Sequence, residues 1–482
     1  MAQYTVIATI LASLTLALPV ITQAAESGQA SSYAINCESA YKKKPVPPNQ
    51  LQAIVESHGR WLTQREKQEY QRANLCQADL RQAKLAGVNL ERANLEGAVL
   101  REAHLPLSTL TQTRLAGADL TKARLEDSNL SGADLRHARL SNANLSRSIG
   151  DEAALYDAIL TGAKLRESTF ERAHFEGADL TAADFTQANL ANSYFYGANL
   201  HRATLSGTDF LEADLRRANL AKANMEQANL QGALLDGAQL YGARLVEADL
   251  EGAYFDEADL REASFRDALL RGADLRFANL QSAGFQQADL EGVNFEDARL
   301  VRTNLQSANL RMAILYHAIL DGTDFRSAKL PNAVLIGARG KGAIFIQADL
   351  SQIYAPNVSL ERAQFNGAKL GIGQSGCSRL EKVELQSRYD RTGQSAGSEP
   401  AGSIVSWFGF HRRTTGGSRS AAGELAWRES RESAGSDSSA NRQSLSRRGH
   451  QVTGRSQPPG ALWRKDNHEE IKAVTGDVGE HR

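Results

Sequence analysis

The chain has 482 residues, 42% hydrophobic and 23% charged, and 55 Lys and Arg against 56 Asp and Glu leave a formal net charge of −1. There is no basic excess to hold nucleic acid directly, and three cysteines without ligand spacing give no metal centre. The mean hydropathy of −0.40 requires any long apolar core to sit beneath an extensive polar surface.

Thr5 to Ile21 is an apolar stretch without a charge, and Thr22-Gln23-Ala24 before Ala25-Glu26 offers small residues at the spacing of a signal-peptidase site. Residues 1–24 therefore read as an export signal, and the mature chain is expected in the periplasm or cell envelope. No Lys or Arg precedes the stretch, so its retention as a membrane anchor is the alternative; Pro19 and the polar sequence after Ala25 favour cleavage. Residues 25–47 read as linker. Glu26 to Tyr33 is polar, and Lys42-Lys43-Lys44 followed by Pro45, Pro47 and Pro48 is expected to be extended rather than packed.

Residues 48–71 read as a helical cap. Asn49 is the expected N-cap, and Leu51, Ile54 and Val55 make an apolar stripe over Gln50 to Ser57, with Trp61 and Leu62 just beyond. From Ala73-Asn74-Leu75 and Ala78-Asp79-Leu80 to Ala368-Lys369-Leu370, one five-residue unit then recurs in a single frame over 72–370. A bulky apolar residue stands at about 57 of 60 positions divisible by five, with Ala, Ser or Thr two before it; Gly150, Gly340 and Ala355 are the gaps. A period of five fits neither a helix nor a flat strand, so each unit is one side of a solenoid that turns a corner. The open end of its first coil would present unpaired backbone groups and a bare apolar core, which the helix is placed to cover.

These residues resemble the pentapeptide-repeat family, whose pattern is A-(D/N)-L-x-x. The resemblance implies an all-β solenoid, a right-handed quadrilateral β-helix in which four pentapeptides make one square coil of twenty residues. The work expected of such a rod is binding or scaffolding, with no cofactor. An enzyme is the disfavoured alternative, since it would need a clustered set of polar groups in a pocket and a rod filled with Leu has none. The segment His58-Gly59-Arg60-Trp61-Leu62 is similar to the lead-in before the repeats of several members. About fifteen coils at the ~4.8 Å strand spacing give a rod roughly 70 Å long. Val88, Val293, Ile353 and Val358 exceed the usual small residue, and local widening is expected there.

With twenty residues per coil, the side chains can be assigned to faces. Inward Phe185, Phe265, Phe285, Phe325, Phe345 and Phe365 share one corner of the core, while the ladder of Leu180, Leu200, Leu220 and Leu240 never takes Phe. Outward Tyr156, Tyr194, Tyr196, Tyr254, Tyr316 and Tyr354, with Phe277, fall on a single face beside Arg216, Arg217, Arg276, Asp256, Glu257 and Asp297; Tyr241 lies elsewhere. That face is the candidate surface for a protein partner, since Tyr combines a rigid apolar body with a polar tip. A ladder that merely holds neighbouring coils together is the competing reading.

The histidines His104, His137, His174, His201 and His317 lie on different coils and form no nucleophile or metal motif. Cys37, ahead of the helix, and Cys76, on the first coil, are placed to staple cap to rod in an oxidising compartment, with free thiols as the alternative. The rod carries a charge of about −6, with residues 151–300 near −13. Acidity matters because some members of the family protect DNA gyrase by resembling duplex DNA. A cytoplasmic DNA-mimicking topoisomerase inhibitor is therefore the alternative function, although the acidic excess is modest. Residues 371–482 are rich in Ser, Gly and Arg and read as a mostly disordered tail, in which Ile404, Val405, Trp407, Phe408 and Phe410 are available to cover the last coil.

Overall fold

The structure, a computed structural model, describes residues 37–64 and 71–370. The export segment, residues 25–36 and the tail from 371, including Ser403 to Phe410, lie outside the described residues.

From Asn74 onward each residue before an inward Leu or Phe bridges in parallel to the residue twenty positions later, as in Asn74↔Asn94, Asn94↔Arg114 and so on to Ile344↔Gln364. Twenty residues therefore make one turn, and four pentapeptides make its four sides. Within a side the backbone bonds run to the neighbouring coils: Leu220 N–H donates to Gln239 O at 2.7 Å, and Asn219 N–H to Ala198 O at 2.9 Å. The corners are type II turns closed by bonds such as Ala223 N–H to Leu220 O, 3.0 Å. Every fifth residue from Gln77 to Gly367 sits in the left-handed region, with φ between 52° and 69°. Glycine is the residue best suited to that conformation, yet most corners are not glycine.

The interior is built as the repeat predicts. The residues at multiples of five and the small residues two before them are almost all fully buried in one continuous core. Phenylalanines stack along the axis where they are twenty apart: Phe265 on Phe285 at 4.5 Å between ring centres, Phe325 on Phe345 at 4.7 Å and Phe345 on Phe365 at 5.0 Å. A second stack, Phe175 on Phe195 at 4.7 Å, belongs to the opposite wall, and Phe175 meets Phe185 of the first ladder edge-on across the core. The gap at Gly150 is filled from the next coil. A Cβ built there would lie 2.1 Å from the Phe170 ring, which occupies the space a Leu would take. Inward hydroxyls are given carbonyl acceptors, as where Ser108, Ser128, Ser148 and Ser168 donate to Leu105, Leu125, Leu145 and Leu165. The register passes unbroken through Val88, Val293, Ile353 and Val358, with Asn89↔Thr109, Asn294↔Ile314, Val334↔Tyr354 and Arg339↔Ser359 in place.

At the start of the rod, helix α1 spans Pro48–Thr63. Its N-cap is Pro47, not the expected Asn49, because Pro48 at the first helical position has the right φ and no N–H to satisfy. The helix also runs past Ser57 and through Gly59 to take in Trp61 and Leu62. Leu51 is buried, Ile54 and Val55 pack against the core, and fully buried His58 accepts a bond from Ala73 N–H at Nδ1, 3.1 Å. That N–H belongs to the first coil; in later corners the equivalent group donates within its own turn, as Ala78 N–H does to Leu75 O.

Part of the stretch expected to be linker is docked instead. Lys43 N–H donates to Gln77 O, Asp79 N–H to Lys44 O and Val46 N–H to Asp79 O, so that Pro45 bridges Asp79 as a further strand would. Prolines and lysines tolerate this edge position because half the backbone groups of an outermost strand face away from the sheet. Cys37 and Cys76 are joined by a disulfide, with Cα atoms 6.1 Å apart.

Candidate protein-binding face

The corner geometry decides what each face presents. In every pentapeptide the residue before the inward Leu points outward along the strand, and the two residues after it form the turn. An Asp or Asn in the first of these places bends back over the corner: Asp214 Oδ1 accepts Arg216 N–H at 3.1 Å, and Asn219 Oδ1 accepts Ala221 N–H at 3.1 Å. Amides also link along the axis, Asn219 Nδ2 donating to Asn199 Oδ1 and Asn199 Nδ2 to Asp179 Oδ1. The recurring Asp and Asn are thus corner caps, which explains their presence on every side without any catalytic role.

The bridging pairs and corners place Tyr156, Tyr194, Tyr196, Tyr254, Phe277, Tyr316 and Tyr354 on one side of the rod. Tyr194, Tyr196, Tyr254, Phe277 and Tyr354 are 40–52% exposed, while Tyr156 and Tyr316 are half-buried. Sequence reasoning missed that His174 stands between two of these rings, 5.0 Å from Tyr156 and 4.7 Å from Tyr194, in a continuous stack. Its Nδ1 lies 3.1 Å from Glu176. The other histidine–carboxylate pairs, His137 with Asp157 and His317 with Asp297, lie on the same side, and the His317 ring lies 3.9 Å from that of Tyr316. A twenty-residue register applied to histidine as well as tyrosine would have found this grouping.

The arginines beside the rings have different partners. Arg216 forks onto Asp214 and Arg276 onto Asp274, with nitrogen–oxygen contacts of 2.6 Å and 2.8 Å. Burial would raise the Asp214 carboxyl, but the bonds from Arg216 outweigh it and hold the group below the usual carboxylate range. Arg217 places its guanidinium carbon 5.8 Å from the centre of the Tyr196 ring. Asp236 shows the opposite effect: burial, with the nearby Asp256 charge, pushes its carboxyl up, although it also accepts Asp256 N–H at 3.2 Å. Burial and Glu176 likewise raise the Tyr156 phenol. Tyr241, on another side, donates to Glu262 at 2.9 Å.

Among the described residues no group of His, Cys, Asp and Glu could hold a metal ion, and no helix is long and apolar enough to cross a membrane. A surface groove of about 730 Å³ beside Lys43, Asp79, Arg81, Arg101 and Asp119 brings together the ion pairs Arg81–Asp79 and Arg101–Asp119.

A twenty-residue, four-sided coil with a Leu and Ala interior and an aromatic outer strip defines a repeat rod whose chemistry lies on its surface. The chain belongs to the pentapeptide-repeat family: the family's model, described as pentapeptide repeats (8 copies), matches residues 71–105 and, in overlapping stretches, 108–354. The fold is accordingly the family's right-handed quadrilateral β-helix, and members are generally structural or protein-binding rather than enzymes. Similar solved structures include HetL, a pentapeptide repeat protein involved in heterocyst differentiation regulation from the cyanobacterium Nostoc sp. strain PCC 7120. It is 31% identical over 47% of this chain and 90% of its own, with a TM-score of 0.18. AT2G44920, from the Arabidopsis thaliana thylakoid lumen, is 27% identical over 22% of this chain and 68% of its own, TM-score 0.17. QnrB1, a plasmid-mediated fluoroquinolone resistance protein, is 15% identical over 45% and 93%, TM-score 0.24. With scores this low, none of the three bears on what this chain does. No curated protein matches it.

Proposed function

We propose that the chain is a non-catalytic, exported rod that binds a protein partner along its tyrosine face. The observation that carries this reading is the confinement of exposed rings to one side, with Phe277 as the clearest case. Its ring is 52% exposed and its φ is 55°, so an apolar side chain stands in water on a backbone conformation that disfavours it. Helix α1 and the strand around Pro45 serve as the cap of the first coil, keeping its backbone groups from pairing with another chain. The Cys37–Cys76 disulfide supports an oxidising compartment, and hence export, over the cytoplasmic DNA-mimic alternative.

The test is capture from an envelope extract. Replacing Tyr194, Tyr196 and Tyr254 by Ser should abolish recovery of the partner while the melting curve stays within a few degrees, because outward substitutions rarely cost much stability. Equal recovery by the wild type and the variant would rule this face out. A variant that fails to fold would instead assign the ladder to structure. N-terminal sequencing of the native protein from fractionated cells is expected to begin at Ala25; an intact Met1 in the cytosol would favour the topoisomerase reading.

A further inference from the structure

Several exposed aromatic rings and several carboxylates lacking a basic partner coincide on the tyrosine face and on no other side of the described rod. Arg216 and Arg276 are paired with Asp214 and Asp274 and also act on Asp236, Asp256 and Glu296, but between Tyr194 and Tyr316 this side sets seven Asp and Glu against only Arg216, Arg217 and Arg276, so it stays acidic. Asp236, Asp256, Glu257 and Glu296 have no Lys or Arg ion-pair partner among the described residues. One adjoining side has the reverse character and carries Arg202, Lys222, Arg299, Arg302, Arg339 and Lys341. The other, with Glu212, Glu251 and Glu291, is also acidic but presents no aromatic ring. Rings and negative charge are therefore combined on one side alone.

The chemistry that fits such a face is cationic. A guanidinium already rests on it, that of Arg217 over the Tyr196 ring, which shows the geometry a partner's arginine would adopt beside the exposed rings of Tyr254 and Phe277. The length of the face selects among cations. Tyr196 and Tyr316 are six coils apart, about 29 Å at the strand spacing, which matches about nine residues of extended polypeptide. Nucleic acid would be repelled by the same carboxylates.

We infer that the tyrosine face between Tyr194 and Tyr316 docks an extended Lys- and Arg-rich segment of a partner protein, with its cations laid over the rings and against Asp236, Asp256, Glu257 and Glu296. The inference rests on the reading of this face as the partner surface and adds the partner's chemistry. Charge complementarity along the strip sets orientation and encounter rate, while the rings supply the contact area.

The probe is a fluorescent nona-arginine peptide, titrated by anisotropy into the full chain at low and at physiological salt. Binding that weakens with salt is expected, and Asp236→Asn/Asp256→Asn/Glu257→Gln should weaken it about tenfold or more. Glu212→Gln/Glu251→Gln/Glu291→Gln, the same charge change on the acidic side without rings, should stay within about twofold. Equal losses in the two variants would mean attraction by overall charge and would overturn the inference. So would spermine binding as tightly as the peptide, or a carboxylate variant that changes only the oligomeric state in sedimentation. Circular dichroism melts establish that both variants are folded. Partner capture separates this inference from the one beneath it: loss with the tyrosine variant but not with the carboxylate variant keeps the face and discards the cationic partner. Retention by both discards both.

Discussion

At the residue scale the rod is a set of places where one side chain answers for another. Gly150 and Phe170 are such a pair. Gly150→Leu should clash with the Phe170 ring and cost about 1–3 kcal/mol, and Phe170→Leu should leave a void of similar cost. Combining the two restores the usual Leu ladder between Leu130 and Leu190. The double variant should therefore be more stable in urea than either single one, and strictly additive losses would show that the ring does not fill the glycine's space.

His58 is the second case. Burial lowers its pKa, so the folded chain favours the neutral ring that accepts Ala73 N–H. A depressed folded pKa means that the stability is present above the unfolded value of about 6.5 and is lost as pH falls through the folded one. The protection of the Ala73 amide, the slowing of its exchange relative to a free amide at the same pH, should fall below about pH 6.5 in the wild type. In His58→Leu the protection should be low at all pH values, with a loss of about 1–3 kcal/mol for the orphaned donor. Acid-insensitive protection of the Ala73 amide in the wild type would contradict this account.

At the element scale the N-terminal assembly consists of α1, the Pro45 strand and the disulfide, each tied to a different edge of the first coil. Cys37→Ser should lower the stability of this region by about 2–4 kcal/mol, the usual worth of a disulfide. The loss should appear as faster exchange at Lys43 and Asp79, whose N–H groups bond across the junction, with the amides near Leu220 unchanged. Wild type under reductant should match the variant. If exchange rises uniformly along the rod, the cap is not a separate unit. The repeat makes the need for a cap legible in the sequence, and the apolar stripe of Leu51, Ile54 and Val55 locates it. The Pro45 strand is not legible there, because a run of lysines and prolines has no strand pattern and is recruited by the open edge of the first coil.

For the whole molecule the governing fact is that each coil touches only its neighbours, so damage should spread by nearest-neighbour coupling. Leu220→Asp buries a charge between Leu200 and Leu240 and should cost several kcal/mol. Limited proteolysis should then cut first near the altered coil, leaving the Phe265-to-Phe365 half protected. Wild-type melting in this variant would show that position 220 does not face inward. The tyrosine face belongs to this scale too, since no single pentapeptide contains it.

The sequence by itself determined the period and the inward residues, because a five-residue unit with one large and one small apolar position has a single way to bury both; assigning each outward side chain to a face also needed the twenty-residue coil, which the family resemblance implied and the parallel bridges establish. It also held a corner signal that is clear once the turn is known: the second residue after each inward position is never Val, Ile or Thr, which avoid positive φ. Only the tertiary structure decided what depends on contact between coils. The Phe170 ring fills the space over Gly150, His174 joins the Tyr156 and Tyr194 rings, Arg216 and Arg276 turn to their own aspartates, and residues 43–46 become an edge strand. Each of these depends on rotamers and on backbone groups left open by a neighbouring coil, which a one-dimensional pattern can place in register but cannot orient.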